Sequence, residues 1–326
     1  MGFWSRRRVL VAGGAGFVGS HVTEALVADG AQVRVADSLL RGSTDNLASV
    51  IDEVEFLELE LSQPSHAARA VAGCDAVFNL VSRVGGIEFN RTHQAAMLSG
   101  SALPAMQVMD AAAAAGVERF LAVSSACVYP ADAPVPTPEN YGFAGEPEAT
   151  NLGYGLAKRM VEYHARFLAA EASMKIAVVR PYNAYGPRDH FDLSTSHVVA
   201  ALIKRAADGE DPFTVWGTGN PTRAFIYVKD LARAMLLALE RKDDGEPINL
   251  GSDQEVRIRD LAGLVLKAAA GSPQLEFDAS KPDGYARRAA DTTLMRNVMP
   301  ELFPLTPLAE GLAETFAWYQ SSLTPR

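Results

Sequence analysis

Short apolar runs alternate with helical patterns over the first two thirds of the chain. Runs apolar on both faces occur at Arg8–Val11, Val33–Ala36, Glu55–Leu59, Ala76–Leu80, Phe120–Ser124 and Ile176–Arg180. Between them lie helical stretches such as Phe17–Ala28 and Ala105–Ala115. Strands covered on both faces and separated by helices predict a parallel sheet between two helical layers. The right-handed crossover rule narrows this to a doubly wound α/β sheet. Beyond Pro181 the rhythm loosens, and segments rich in Gly, Pro and Asp (186–192, 217–221, 243–247, 280–284) separate shorter elements. The expected organisation is one domain over residues 1–180 and a smaller C-terminal lobe over 181–326. Phe225–Leu239 and Glu246–Leu250 are apolar enough to return to the main core.

The first run leads into Gly13-Gly14-Ala15-Gly16-Phe17-Val18-Gly19. Glycines at 13, 16 and 19 let a strand turn tightly into a helix. They also let backbone N–H groups and the helix dipole approach a pyrophosphate, with Phe17 and Val18 opening the helix. Asp37 ends the second run, where a carboxylate accepts the ribose hydroxyls of an adenosine and repels a 2′-phosphate. The reading is a Rossmann site for NAD in preference to NADP. Glu60 and Leu61 after the third run, and Leu80 at the end of the fourth, complete the expected cofactor wall.

The 326 residues are 48% apolar and 21% charged, with formal net charge −9. No basic stripe stands out, which argues against nucleic acid or an anionic membrane as partner. No apolar run approaches a membrane span. The arginines before Val9 resemble the start of a signal peptide, but the glycines break the apolar stretch that follows. Two cysteines, Cys74 and Cys127, make no disulfide framework, which fits a reducing cytoplasm. No metal is expected. The long helical stretches around Ala105–Ala115 and Tyr154–Ala170 suit pairing across a two-fold axis, leaving homodimer and monomer both open.

Tyr154 and Lys158 lie four residues apart, on one helix face, downstream of Ser124 and Ser125. A phenol is a poor base at neutral pH. The expectation is that the lysine and a cationic nicotinamide lower its pKa, so that it exchanges a proton with a sugar hydroxyl while hydride leaves the same carbon. Ser125 would hold that oxygen. With the glycine turn and Asp37, this order resembles the extended short-chain dehydrogenases/reductases that act on nucleotide sugars, over nearly the full length. Further matches are residues 180–188 (Arg-Pro-Tyr-Asn-Ala-Tyr-Gly-Pro-Arg), 215–219 and 222–230. The resemblance implies that Asn183, Arg223 and Arg287, with Arg288 a near alternative, contact the nucleotide diphosphate.

The resemblance also narrows the branch. Ala126 and Cys127 stand where 4,6-dehydratases carry an acidic pair, which disfavours dehydration. The segment 124–130 (Ser-Ser-Ala-Cys-Val-Tyr-Pro) is very similar to that of GDP-mannose 3,5-epimerases, and GDP-fucose synthases also place a cysteine there. Gly85 and Gly86 lie in a loop that both branches share and would let backbone lie against a hexose. His197, in Thr195-Ser196-His197-Val198, matches the catalytic histidine of GDP-fucose synthases. Cys127 and His197 both titrate near neutrality, so they suit proton exchange beside a C4 ketone. Because Asp37 favours NAD recycled within one turnover, the leading expectation is redox-neutral inversion of C3, C5 or both, with GDP-mannose as substrate. The alternatives are a UDP-sugar 4-epimerase, an epimerase/reductase like GDP-fucose synthase, and a non-catalytic NAD(H)-binding sensor.

Overall fold

The computed structural model describes residues 2–323 apart from 84, 194, 272 and 282, and the backbone alone of Ile87 and Glu88. Val84, in the loop expected to face a hexose, therefore lies outside the described residues. Seven strands form one sheet: β1 (Arg8–Ala12), β2 (Gln32–Asp37), β3 (Glu55–Glu58), β4 (Ala76–Asn79), β5 (Arg119–Val123), β6 (Lys175–Pro181) and β7 (Asp244–Leu250). Their spatial order is β7-β6-β5-β4-β1-β2-β3, and every pairing is parallel. This is the doubly wound sheet that the apolar runs predict.

The double-sided burial follows from the two-residue period of a strand. Val9 and Val11 face the layer holding Val22, Leu26, Leu231 and Met235. Leu10 and Ala12 face the opposite layer, with Val108, Met109, Val161 and Ala165. In the first layer, the Phe17–Ala28 helix packs on the Val228–Arg241 helix; in the second, Gln94–Ala114 packs on Leu152–Glu171. The Gln94–Ala114 helix begins eleven residues before the expected Ala105 and carries Pro104 within it. Pro104 is buried, and the packed layers hold the helix together across it.

A third core lies outside the sheet, built on Val199, Leu202, Ile203, Phe213, Val215, Leu261 and Phe316. It carries three small sheets, one of them joining Thr222–Ala224, Glu255–Arg257 and Arg287–Arg288. In the main sheet, chain order reverses between β1 and β4. A crevice opens there at the strands' carboxyl ends, which is where ligands of such sheets bind.

Candidate active site

At that crevice β1 runs directly into the glycine turn. Gly13 has a left-handed backbone (φ +79°), and a Cβ on Gly19 would lie 2.1 Å from the Gly13 carbonyl oxygen. The helix therefore starts against the turn with no room for a side chain. A Cβ on Gly16 would meet only the Gly13 carbonyl, at 3.3 Å, so the outer side of the turn is open. This cradle at a helix N-terminus fits a dinucleotide pyrophosphate. Phe17 and Val18 are half-buried, and Leu80 borders Gly13, its carbonyl facing the missing Cβ.

Asp37 is buried at the end of β2. Its Oδ2 accepts from the Ala15 amide (3.0 Å) and its Oδ1 from the Leu39 amide (2.9 Å). Burial raises its pKa, and the backbone bonds oppose the rise. The carboxylate thus braces the turn, while each oxygen keeps a further lone pair for a ribose hydroxyl. Two further members of the expected cofactor wall follow β3. Glu60 is exposed and caps its own turn, accepting from the Ser62 amide and hydroxyl. Leu61 is given to the hydrophobic core.

Tyr154, Lys158 and Glu162 recur every fourth residue on the Leu152–Glu171 helix and share the face toward the end of β5. The helix can approach because a Cβ on Gly155 would sit 2.5 Å from the Cys127 carbonyl oxygen. Lys158 Nζ donates to the Val123 carbonyl (2.9 Å) and lies 5.6 Å from the Tyr154 ring centre. Burial lowers the ammonium to about 8, while nearby Cys127 and Glu162 oppose that fall. The Tyr154 phenol departs from expectation. Burial pushes its pKa well above the ordinary value and Cys127 adds to the rise, while the Ser82 and Ser125 hydroxyls beside it only partly offset this. In this chain alone the phenol is a proton donor.

A buried ion pair fixes this helix. Arg180 Nη2 and Nε bond Glu162 at 2.7 and 2.8 Å, Ser124 donates to the same carboxylate, and Arg180 Nη1 reaches the Tyr129 hydroxyl at 2.8 Å. Breaking such a pair leaves an uncompensated buried charge. Glu162 was missed from sequence although it lies four residues beyond Lys158, the same spacing that links Lys158 to Tyr154.

Cys127 is half-buried in a short turn, its amide donating to Ser125 Oγ (3.1 Å). Arg288 Nη2 lies 3.7 Å from its sulfur. A hollow whose lining includes Ala126, Tyr129, Tyr182, Tyr285, Arg287 and Arg288 adjoins it. Arg223 is half-buried, and both burial and the like charge of Arg288 lower its pKa. Arg223 Nη1 donates to the Thr222 and Tyr285 carbonyls, both at 2.7 Å, and Asn183 Nδ2 to the Ala224 carbonyl (2.8 Å). Among the described residues neither Arg223 nor Arg288 has a carboxylate partner, so two guanidinium charges converge unneutralised. Arg287 differs: it is exposed and ion-paired to Glu255. Its neighbour Arg288 is the one that turns toward Cys127, because adjacent residues of a strand point to opposite sides.

His197 precedes the Val198–Ala207 helix, with its side chain exposed and Nδ1 3.6 Å from Asp189 Oδ1. Its charged neighbours are Asp189 and Arg41, a different set from the Tyr154, Lys158 and Arg288 that surround Cys127. Gly85 and Gly86 lie in the loop after β4, Gly86 capping the Ile87–Thr92 helix. Among the described residues no helix is long and apolar enough to cross a membrane.

Residues 9–251 match the model of the NAD dependent epimerase/dehydratase family. The chain is 34% identical to a probable GDP-L-fucose synthase 1 of Oryza sativa subsp. japonica, covering 96% of this chain and 92% of that protein. It is 31% identical to a dTDP-4-dehydro-6-deoxy-D-allose reductase of a Streptomyces species, covering 97% of both. A solved UDP-glucose 4-epimerase of Thermotoga maritima with UDP-glucose superposes at TM-score 0.86 and 28% identity, covering 97% of this chain and 100% of that one. Relatives named for three different nucleotides support nucleotide-sugar chemistry, and none of these three is named for GDP-mannose 3,5-epimerisation. With its glycine turn, Tyr154–Lys158 pair and parallel sheet, the chain belongs to the NAD dependent epimerase/dehydratase family of nucleotide-sugar enzymes.

Proposed function

We propose that the protein is an epimerase/reductase of a nucleoside-diphosphate 4-keto-6-deoxyhexose, inverting C3, C5 or both and then reducing C4. The observation that carries this reading is the pairing of a half-buried Cys127 with Arg288 beside a protonated Tyr154. A C4 ketone acidifies the protons on C3 and C5. Cys127, whose sulfur lies 3.7 Å from Arg288 Nη2, is the proposed acceptor of such a proton. His197, which Asp189 favours as the imidazolium, returns a proton to the other face. Ser125 and Tyr154 hydrogen-bond the C4 oxygen, and Tyr154 gives it a proton as the carbonyl is reduced. A bound nicotinamide dinucleotide supplies the hydride. Lys158 holds positive charge beside the phenol and favours the phenolate that remains.

Guanosine diphosphate is the first nucleotide to test, because the rice relative is named GDP-L-fucose synthase. Arg223, Arg288 and Asn183 are the proposed diphosphate contacts. Asp37 favours NAD(H) over NADP(H), since its buried carboxylate repels a 2′-phosphate. That same preference supports a second reading, in which tightly held NAD is recycled and GDP-mannose is epimerised without net redox. Leu156, Met160, Tyr163 and Phe167 form an exposed apolar stripe at helical spacing on the catalytic helix, the face we propose for pairing with a second copy. The test is to offer GDP-4-keto-6-deoxymannose with NADH or NADPH, and GDP-mannose without added reductant. Consumption of NADH with the keto sugar supports the first reading, and a changed hexose from GDP-mannose alone supports the second. No change with either sugar would overturn both.

A further inference from the structure

The turn ahead of His197 is held in an unusual way. Arg188 is a non-glycine residue with a left-handed backbone (φ +69°), which costs conformational energy unless the surroundings impose it. Both sides of that strained peptide are gripped by the Phe17–Ala28 helix, the one that begins at the glycine turn. His21 Nε2 hydrogen-bonds the Pro187 carbonyl at 3.0 Å, and Arg188 Nη2 reaches Glu24 at 2.5 Å. The next residue, Asp189, has its side chain 4% exposed. Its Oδ1 accepts from the His190 amide (2.7 Å) and faces His197 Nδ1, whereas its buried Oδ2 has no hydrogen-bond partner.

A buried carboxylate with an unsatisfied oxygen is expensive unless a cation or donor faces it. We propose that Asp189 is a positioning residue, aimed by the cofactor-side helix so that its carboxylate orients the His197 ring and keeps it protonated. Nε2–H is then left to point at a substrate carbon. This deepens the proposed function and rests on His197 being a proton carrier there. The charged groups facing His197 are Asp189, which favours the imidazolium, and Arg41, which opposes it. His190 beside it faces Arg41, Asp192 and Asp189. The clamp also gives a physical reason for a strained residue at 188: relaxing it would swing Asp189 away from the histidine.

The test is the titration of His197 in the full-length protein, followed by imidazole NMR and assigned by the signal lost in His197→Asn. In the unsubstituted protein His197 titrates above the ordinary imidazole value. In Asp189→Asn its midpoint falls by about one pH unit, and the limb of the kcat profile that reports His197 moves with it. Glu24→Gln leaves the Asp189 carboxylate in place but loosens the clamp, so it lowers kcat severalfold with KM nearly unchanged. A His197 midpoint at or below the ordinary value in the unsubstituted protein overturns the proposal, whether or not the variant folds. So does a midpoint unmoved by Asp189→Asn. If Asp189→Asn shifts the midpoint while His197→Asn retains full activity, the contact stands and the proposed role of His197 is what fails.

Discussion

The proposed dinucleotide end of the cleft is built from backbone, whereas the proposed sugar end is built from the tips of long side chains. At the first end, Gly13, Gly16 and Gly19 shape a turn that is braced by two bonds from Asp37 to main-chain amides. At the second, Arg223 and Arg288 come from a small sheet and Cys127 from a short turn, and His197, beside Asp189, is proposed to join them. Backbone geometry admits few substitutes. A side-chain tip, in contrast, depends on which way one residue of a short strand happens to face.

That contrast orders the expected effects. The largest falls at the backbone end. Gly19→Ala places a methyl against the Gly13 carbonyl, so the protein purifies without bound dinucleotide and shows no turnover, read from the absorbance of the purified protein and a substrate assay. At the sugar end, neighbouring arginines should behave unequally. Arg288→Met raises KM for the nucleotide sugar roughly 10–100-fold, as loss of a charge-assisted bond to a diphosphate does. Arg287→Met, which loses only an exposed pair to Glu255, changes it less than about twofold. Equal effects would erase the distinction between the inward and outward residues.

The last effect, on stability alone, concerns the link between the two ends. Burial holds His21 at about 4 in the folded chain, against an ordinary 6.5. Between those values the unfolded chain binds more protons, so stability rises with pH there; the penalty is absent above about 6.5 and complete below about 4. His21→Asn removes a penalty on the order of 3 kcal/mol at the acid end. Its denaturant midpoint therefore falls less between pH 6.5 and pH 4 than that of the unsubstituted protein.

The same contrast explains what could be read in the chain. The main sheet and the glycine turn were legible because strand burial and positive φ leave a periodic, residue-specific trace. The Tyr154–Lys158 pair was legible because both lie on one helix. Its electrostatics were not, since burial raises the phenol's pKa by more than the Ser82 and Ser125 hydroxyls lower it. Arg288 and Arg287 are chemically identical, and a two-residue strand has no pattern to say which points inward. Asp189 follows a strained arginine whose conformation is imposed by Glu24 and His21, about 165 positions earlier in the chain. Glu60 and Leu61 follow β3, which ends at Glu58, and no strand period says that Leu61 turns into the core while Glu60 stays exposed.

Cys127 and His197 are proposed to exchange protons at the carbons flanking a C4 ketone. This is tested most directly by incubating the protein with GDP-4-keto-6-deoxymannose in heavy water and following the sugar protons by NMR, without added reductant. Proton exchange at those carbons leads to loss of the H3 signal, the H5 signal or both. The exchange is expected to disappear in Cys127→Ser, while that variant still binds the nucleotide sugar. Retention of both signals in the unsubstituted protein, or undiminished exchange in Cys127→Ser, would contradict the proposal.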